Sequence, residues 1–286
     1  MVRLLAIIAA AFALLLAVFI GRIWFGTRTG PQPKRPNSTA ANDGATSLGA
    51  EWRAEVVLEQ LSERNPDYEI NRLKIVLRDR KGKEVETPDT QFELNGVALS
   101  YRVGQGNYYD RHPYYRLIED SDFHFAADFA YELAMRHANG PASPFATVRT
   151  PKPMSPDSFR VPVTHPSNRD LVISWAGLSQ PADLLIYKTH TFIDAQGNQA
   201  IEAGGPYADD ALRQRIGSSG LPLGEGRYTI PASYLATAAG RRVTAVGIEI
   251  TAQNTGRFLH PILKDSSVTA IRKVVLRIDV APPQHP

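Results

Sequence analysis

The sequence predicts a mainly β protein in which two β units follow an N-terminal apolar membrane segment. Three observations lead to this prediction. Short runs of alternating apolar and polar residues recur along the chain, which is the pattern of strands that bury one face. The 21 glycines and 21 prolines are frequent enough to place turns between many short strands. Residues 1–25 are almost entirely apolar, as in a transmembrane helix.

Composition excludes several classes of function. The chain has 286 residues, a formal net charge of +3 and no cysteine. Disulfides, thiolate catalysis, cysteine-type zinc sites and lipid attachment to an N-terminal cysteine are therefore excluded. Basic residues outside the flanks of the apolar segment are mixed with acidic ones, as in Arg78–Glu84, so no long stripe of one sign exists to follow a phosphate backbone. We expect no nucleic-acid partner and no cofactor.

The N-terminal segment, residues 1–25, is predicted to be an uncleaved signal anchor. Every residue of Leu4–Ile20 is Leu, Ala, Ile, Phe or Val, and about 20 apolar residues cross the hydrocarbon core as a helix. A cleaved signal peptide is the alternative, and it requires a small-x-small site after the apolar run. The Ala-Phe-Ala sequence at residues 11–13 lies inside the run. The bulky and charged exit, Phe19–Trp24, favours the anchor.

The orientation of this anchor rests on two conflicting signals. Arg3 precedes the span, whereas Arg22, Arg28, Lys34 and Arg35 follow it, and the positive-inside rule then favours a cytoplasmic C-terminal region. A three-residue tail before a long apolar run is instead the layout of a signal anchor with a cytoplasmic N-terminus. We expect the second arrangement, a single-pass protein of the inner (cytoplasmic) membrane with periplasmic C-terminal units. A cytoplasm-facing domain is the alternative.

Composition shifts along the chain divide it into six segments. Proline, glycine and small polar residues dominate residues 26–50, and three prolines fall within residues 150–158. Proline removes a donor from a strand ladder, so both stretches are predicted to separate folded units. The predicted segments are the anchor 1–25, a flexible tether 26–50, a first β domain 51–149, a proline-rich linker 150–158, a second β domain 159–280 and a disordered tail 281–286.

Two turn signals predict hairpins in the first unit. Leu73, Ile75 and Leu77 alternate with Lys74, Val76 and Arg78, and Asp79–Lys83 supplies a glycine-containing turn. Asn95 and Gly96 separate two further apolar runs, and Asn-Gly is the strongest two-residue hairpin signal. A β meander is expected here.

Three segments fit more than one kind of secondary structure. Residues 52–61 fit a short amphipathic helix or a first strand, and their periodicity does not decide between the two. Residues 123–135 fit both periods, and the turn after them favours a strand. Residues 207–216 are expected to form one or two helical turns inside a long loop between strands.

The second unit carries strand patterns at residues 171–175, 182–192, 246–250 and 274–280. Trp175 is expected to be a core residue. Short strands with turns between them resemble an immunoglobulin-like sandwich without its cysteine pair. The phrase Gly226–Leu235 is similar to a strand and turn found in bacterial Ig-like and fibronectin-III-like modules. This resemblance implies that the two units are Ig-like or fibronectin-III-like β-sandwiches.

Three motifs contain residues suited to catalysis or metal binding, but their spacing does not match the corresponding sites. Gly217–Gly220 has its glycines one residue too close for a nucleophile elbow, so a loop is expected. Glu119–Asp122 gathers three carboxylates without the later ligands and glycine of a calcium loop. Asp122 and His124 would share one strand face, but no third metal ligand has a matching spacing. We therefore assign no metal and no catalytic residue.

The most unusual composition lies between Gly104 and Tyr115, which carries four tyrosines with one arginine and one histidine. Tyrosine offers a rigid, amphipathic contact surface, and glycine-rich loops at the end of a sandwich suit recognition. The alternative is that some of these rings fill the end of the core. The predicted binding residues are Tyr108, Tyr109, Arg111, His112, Tyr114 and Tyr115.

Two functions follow from these residues. The first is a single-pass, membrane-anchored envelope protein whose β domains bind a protein or glycan partner without catalysis. The alternative is an anchored hydrolase that uses the carboxylates and histidine of Glu119–His124. Catalysis requires Asp122 and His124 to converge in a pocket, whereas recognition requires exposed tyrosines.

Overall fold

A computed structural model describes residues 52–64, 68–105, 111–116, 124–193, 199–203, 207–236 and 241–283 of the chain. Strands dominate these residues, which confirms the prediction of a mainly β protein. The predicted anchor and tether lie outside the described residues. In the part that is described, no helix is long and apolar enough to cross a membrane.

The described residues form eighteen strands, one short helix and one 3-10 turn. The strands are β1 Arg53–Glu63, β2 Tyr68–Arg78, β3 Thr90–Leu94, β4 Val97–Ala98, β5 Ser100–Gln105, β6 Arg111–Arg116, β7 Ala130–His137, β8 Ser143–Arg149, β9 Phe159–Arg160, β10 Thr164–Pro166, β11 Leu171–Leu178, β12 Ala182–Ile193, β13 Gln199–Ala203, β14 Leu212–Ile216, β15 Gly224–Ile230, β16 Arg241–Thr255, β17 Arg257–Phe258 and β18 Ser267–Ala281. The 3-10 turn is Pro156–Ser158, and the helix α1 is Ala232–Leu235.

One ten-stranded sheet runs through both halves of the chain. Its order is β13-β12-β16-β18-β1-β2-β6-β5, with β10 beside β18 and β14 beside β12. The central pair, β1 and β18, is parallel and joins residues separated by about two hundred positions, as in the register Val56↔Val268. All other neighbours of the main path are antiparallel.

Two smaller sheets cover the same face of this large sheet. Alternate residues of a strand point to the same face, and in β18 the even-numbered residues from Val268 to Val280 are buried. The end of this face nearer Val268 packs against the five-stranded sheet β17-β8-β7-β3-β4, and the end nearer Val280 packs against the three-stranded sheet β15-β11-β9. The result is a sandwich-like arrangement with two hydrophobic cores.

Each core is drawn mainly from one half of the chain. The first contains Trp52, Phe92 and Phe145, and the second contains Trp175 and Ile248. Trp175 is only 3 % exposed, so its prediction as a core residue is confirmed. The division into domains at residues 149 and 159 stays a prediction, while β1 and β18 connect the two halves through one sheet.

The opposite face of the large sheet carries a chain of ion pairs across four strands. Lys273 on β18 lies 3.6 Å from Glu59 on β1 and 3.1 Å from Glu249 on β16. Arg72 on β2 extends the chain to Glu59 at 3.7 Å. These pairs span the β1–β18 junction and add cross-strand contacts to its backbone hydrogen bonds.

The ambiguous segments are resolved as strands. Residues 53–63 form β1, and residues 130–137 form β7, whereas residues 124–129 precede that strand. The expected helical turn at residues 207–216 is wrong, because residues 212–216 form β14 and pair with β12. Tertiary pairing outweighs the weak local helix preference of this segment.

The two predicted hairpin turns are confirmed. Asn95 and Gly96 have φ angles of 46° and 83°, the left-handed values of a two-residue hairpin turn, and join β3 to β4. At the other turn, the Asp79 amide donates to the Lys83 carbonyl at 2.8 Å. The turn brings Glu84 opposite Arg78 at the end of β2.

Candidate functional site

The tyrosine-rich segment belongs to a hairpin at one edge of the large sheet. Strands β5 and β6 pair over six residues each, from Ser100↔Arg116 to Gln105↔Arg111. In contrast, the pairing of β6 with β2 among the described residues is limited to Lys74↔Arg116 and Ile75↔Tyr115. The hairpin is therefore attached to the sheet at its base alone.

Another segment explains why the attachment ends there. The Val85 amide donates to the Leu77 carbonyl at 3.0 Å, and Glu84 forms a bridge with Arg78. Since the other edge of β2 pairs with β1 along its whole length, these contacts occupy the edge that β6 would use next. Among the described residues, β6 therefore has no further pairing with β2.

The structure separates the predicted binding residues into two sets. Tyr108 and Tyr109 belong to residues 106–110, which connect β5 to β6 and lie outside the described residues. Arg111 and His112 begin β6, where their backbone is described and their side chains are not. Tyr114 and Tyr115 are described in full.

Tyr115 fills the first core. Its side chain is 2 % exposed and packs edge-on against Phe92, with ring centroids 4.7 Å apart. Its hydroxyl donates to the Thr87 carbonyl at 2.6 Å and lies 2.7 Å from the Thr87 hydroxyl. Burial raises the pKa of this phenol, so the group stays neutral and holds the base of the hairpin.

Tyr114 points to the other face of the hairpin, because successive residues of a strand alternate. It is half-buried, and the Lys74 ammonium lies 5.5 Å from its ring centroid. This distance suits a cation–π contact, which attracts a cation to the electron-rich ring face. The ring is thereby oriented and remains partly open to a partner.

Strand β5 lies at the end of the strand order of the large sheet. Within the described parts of the chain it pairs with β6 alone, so one of its backbone edges has no strand partner there. An edge of this kind can accept an added strand from another molecule.

The carboxylates predicted for the alternative function, Glu119, Asp120 and Asp122, lie outside the described residues. His124 is described and exposed. Its Nδ1 atom lies 3.2 Å from the Asn71 amide nitrogen and 3.5 Å from Glu69 Oε1. Asn71 in turn accepts a hydrogen bond from the Phe125 amide at 3.1 Å. His124 is thus fixed beside β2.

Glu69 is a residue that sequence reasoning missed, because His124 follows it by 55 positions. Burial raises the pKa of Glu69, but hydrogen bonds from Gln60, Asn71 and His124 outweigh that effect and lower it below its ordinary value. Glu69 is therefore ionised at neutral pH. No cluster of three or more metal-ligating side chains occurs among the residues that the structure describes.

The sequence matches no protein-family model, and its comparison with curated proteins finds no match.

Proposed function

We propose that this chain is a membrane-anchored envelope protein that binds a protein or glycan partner through its β5–β6 hairpin. The observation that supports this proposal is the attachment of the hairpin to the sheet at two residue pairs among the described residues. The residues predicted to bind a partner precede this base in the sequence, toward the other end of the hairpin. Those residues include Tyr108, Tyr109, Arg111 and His112.

The chemistry of the segment fits recognition. Tyrosine rings stack on sugar faces or pack in protein interfaces, while hydroxyl, guanidinium and imidazole groups form hydrogen bonds. The core position of Tyr115 and the contact of Tyr114 with Lys74 stabilise the base. A rigid base lowers the entropic cost of binding, because less of the hairpin must be ordered on contact.

The proposed membrane location is based on the amino-acid sequence. An uncleaved span at residues 1–25 would hold the β units at the inner (cytoplasmic) membrane, with residues 26–50 as a tether on the periplasmic side. The two cores, each enclosed by two sheets, agree with units of Ig-like or fibronectin-III-like character. The hydrolase alternative is less favoured, because His124, its described residue, has a side chain that is 73 % exposed, and catalytic groups usually lie in a desolvated cleft.

Site-specific photo-crosslinking in cells tests the recognition surface. A photoreactive residue is placed at Tyr109 and, as the control, at Tyr207, which is 92 % exposed on another part of the chain. We expect an adduct of defined mass from position 109 that is lost on adding Tyr108→Ala, and no such adduct from position 207. Equal adducts from both positions, or none from position 109, would contradict the proposal.

A topology experiment tests the localisation separately. A reporter enzyme that is active only outside the cytoplasm is fused after Pro286. We expect activity in cells, together with retention of the full-length chain in the membrane fraction. An inactive reporter, or a mature chain that begins after Phe25 in the soluble fraction, would contradict the predicted anchor and orientation.

A further inference from the structure

Two polar side chains interrupt the buried face of the large sheet between the two cores. Gln60 on β1 and Arg272 on β18 are direct register partners. They occupy core-facing positions, with Ala270 of the first core and Val274 of the second on either side of Arg272. Gln60 is 7 % exposed and Arg272 is 9 % exposed.

Both side chains leave a buried polar atom without a partner. Gln60 donates through Nε2 to Glu69 Oε1 at 2.8 Å, but its Oε1 receives no hydrogen bond. The Nε atom of Arg272 likewise has none, and in the described part of the chain no carboxylate pairs with its guanidinium. An unsatisfied buried polar group destabilises a fold, and more so when it is charged. The pair therefore destabilises the boundary between the two cores if its role is only structural.

Arg272 stays charged despite this position. Burial lowers its pKa, and the nearby Glu69 carboxylate opposes the change. The ordinary pKa of an arginine lies so far above neutral pH that the guanidinium remains protonated in proteins. The Arg272 guanidinium thus places a permanent positive charge at the boundary between the two cores.

The guanidinium reaches a groove of about 420 Å³ that opens to solvent. Glu63 and Glu69 line the groove with the Ser155 hydroxyl and the apolar side chain of Met154. The described charges that share the face of Arg272 are its guanidinium and the Glu69 carboxylate, so a simple anion would meet the charge of Glu69. A simple cation would meet the buried charge of Arg272 instead.

We propose that this groove binds a zwitterion of the α-amino acid type, in which a carboxylate and an ammonium lie on the same carbon atom. The carboxylate would accept from the two Nη groups of Arg272, in the two-point geometry that guanidinium favours. The ammonium would donate to the Oε2 atom of Glu69. The open side of the groove leaves room for the amino acid side chain.

This site is independent of the hairpin proposed above, since no tyrosine of the β5–β6 hairpin lines the groove. Glu69 is well prepared for the role. Its Oε1 atom is held by Gln60 at 2.8 Å and by Asn71 at 3.2 Å, and no donor from the described residues occupies its Oε2 atom. One oxygen thus positions the carboxylate while the other is free for a ligand.

Titration calorimetry on the full chain in detergent tests the site. The probes are a panel of α-amino acids with apolar, acidic and basic side chains in both chiral forms. Acetate, ethylamine and inorganic phosphate carry only one of the two charges and serve as ligand controls. We expect at least one amino acid to bind and each single-charge probe to bind at least ten-fold more weakly. Failure of the whole panel, or equal binding of acetate or phosphate, would overturn the proposal.

Two variants locate the binding. Arg272→Met keeps the apolar stem and should weaken amino acid binding at least ten-fold, whereas Arg277→Met, whose guanidinium is exposed on the opposite face of β18, should leave it unchanged. Glu69→Gln should weaken binding of the amino acid but not of acetate, and it serves as the second test if Arg272→Met fails to fold. Unchanged affinity in the folded variants would overturn the site.

Discussion

The role of Tyr115 can be tested by removing one atom. Tyr115→Phe keeps the ring that packs against Phe92 and Tyr101, with centroid distances of 4.7 and 5.1 Å. It deletes the hydroxyl that contacts the carbonyl and hydroxyl of Thr87 at 2.6 and 2.7 Å. Thr87 is 9 % exposed, so water does not readily replace the lost donor.

Leaving buried polar atoms unpaired costs about 1–3 kcal/mol. With a urea dependence of about 1–3 kcal/mol per molar for small proteins, the unfolding midpoint should fall by roughly 1 M. Equilibrium urea unfolding followed by circular dichroism measures this shift.

Tyr114→Phe is the matched control, because it changes the adjacent tyrosine on the other face of β6. Its ring contact with Lys74 persists without the hydroxyl, and we expect a change within about 0.5 kcal/mol. Equal midpoints for Tyr115→Phe and the unaltered chain would refute the core role of Tyr115. A larger loss in Tyr114→Phe would refute the assignment of faces in the hairpin.

Three further predictions concern the sheets. Gly226→Ala should lower the free energy of unfolding in urea by about 1–3 kcal/mol, because its Cβ would lie 2.4 Å from the Trp175 ring; an unchanged midpoint would contradict that packing. Lys273→Met should destabilise the chain by about 1 kcal/mol at neutral pH. Burial lowers the pKa of Lys273, but the carboxylates of Glu249 and Glu59 outweigh this effect and raise the pKa above 10.5. The stabilisation by Lys273 should therefore be complete below pH 10.5 and disappear as the pH rises further. A constant difference between Lys273→Met and the unaltered chain across pH 8–12 would contradict the ion pairs. Asn95→Ala should cost about 1 kcal/mol, since the turn needs a positive φ, and Asn95→Gly should cost less by the same unfolding assay; the reverse order would contradict the turn assignment.

Local patterns predicted much of the secondary structure. The alternation over residues 274–280 identified the buried face of β18. The Asn95-Gly96 pair identified the turn between β3 and β4. Both signals depend only on residues close in sequence. The long-range neighbours were not predictable in this way, because the parallel pairing of β1 with β18 depends on contacts between the two ends of the folded region.

The candidate sites show the same difference. The composition of the segment from Gly104 to Tyr115 drew attention to the hairpin, but adjacent tyrosines look alike until strand pairing assigns Tyr115 to the core and Tyr114 to the other face. Arg272 was missed despite a visible signal. Arg272 is an even-numbered residue of β18, and the other even-numbered residues from Val268 to Val280 are apolar and buried. A charged side chain at such a position is uncommon without a partner.

The junction of β1 with β18 is the central feature of this account, and coincident unfolding of the two cores tests it most directly. Trp52 is 8 % exposed in the first core, and Trp175 is 3 % exposed in the second. Single-tryptophan chains that keep one of them, with phenylalanine at the other and at Trp24, report each core by fluorescence. One shared sheet predicts equal urea midpoints and slopes from both probes. Two separated transitions would contradict a fold in which β1 and β18 hold both halves together.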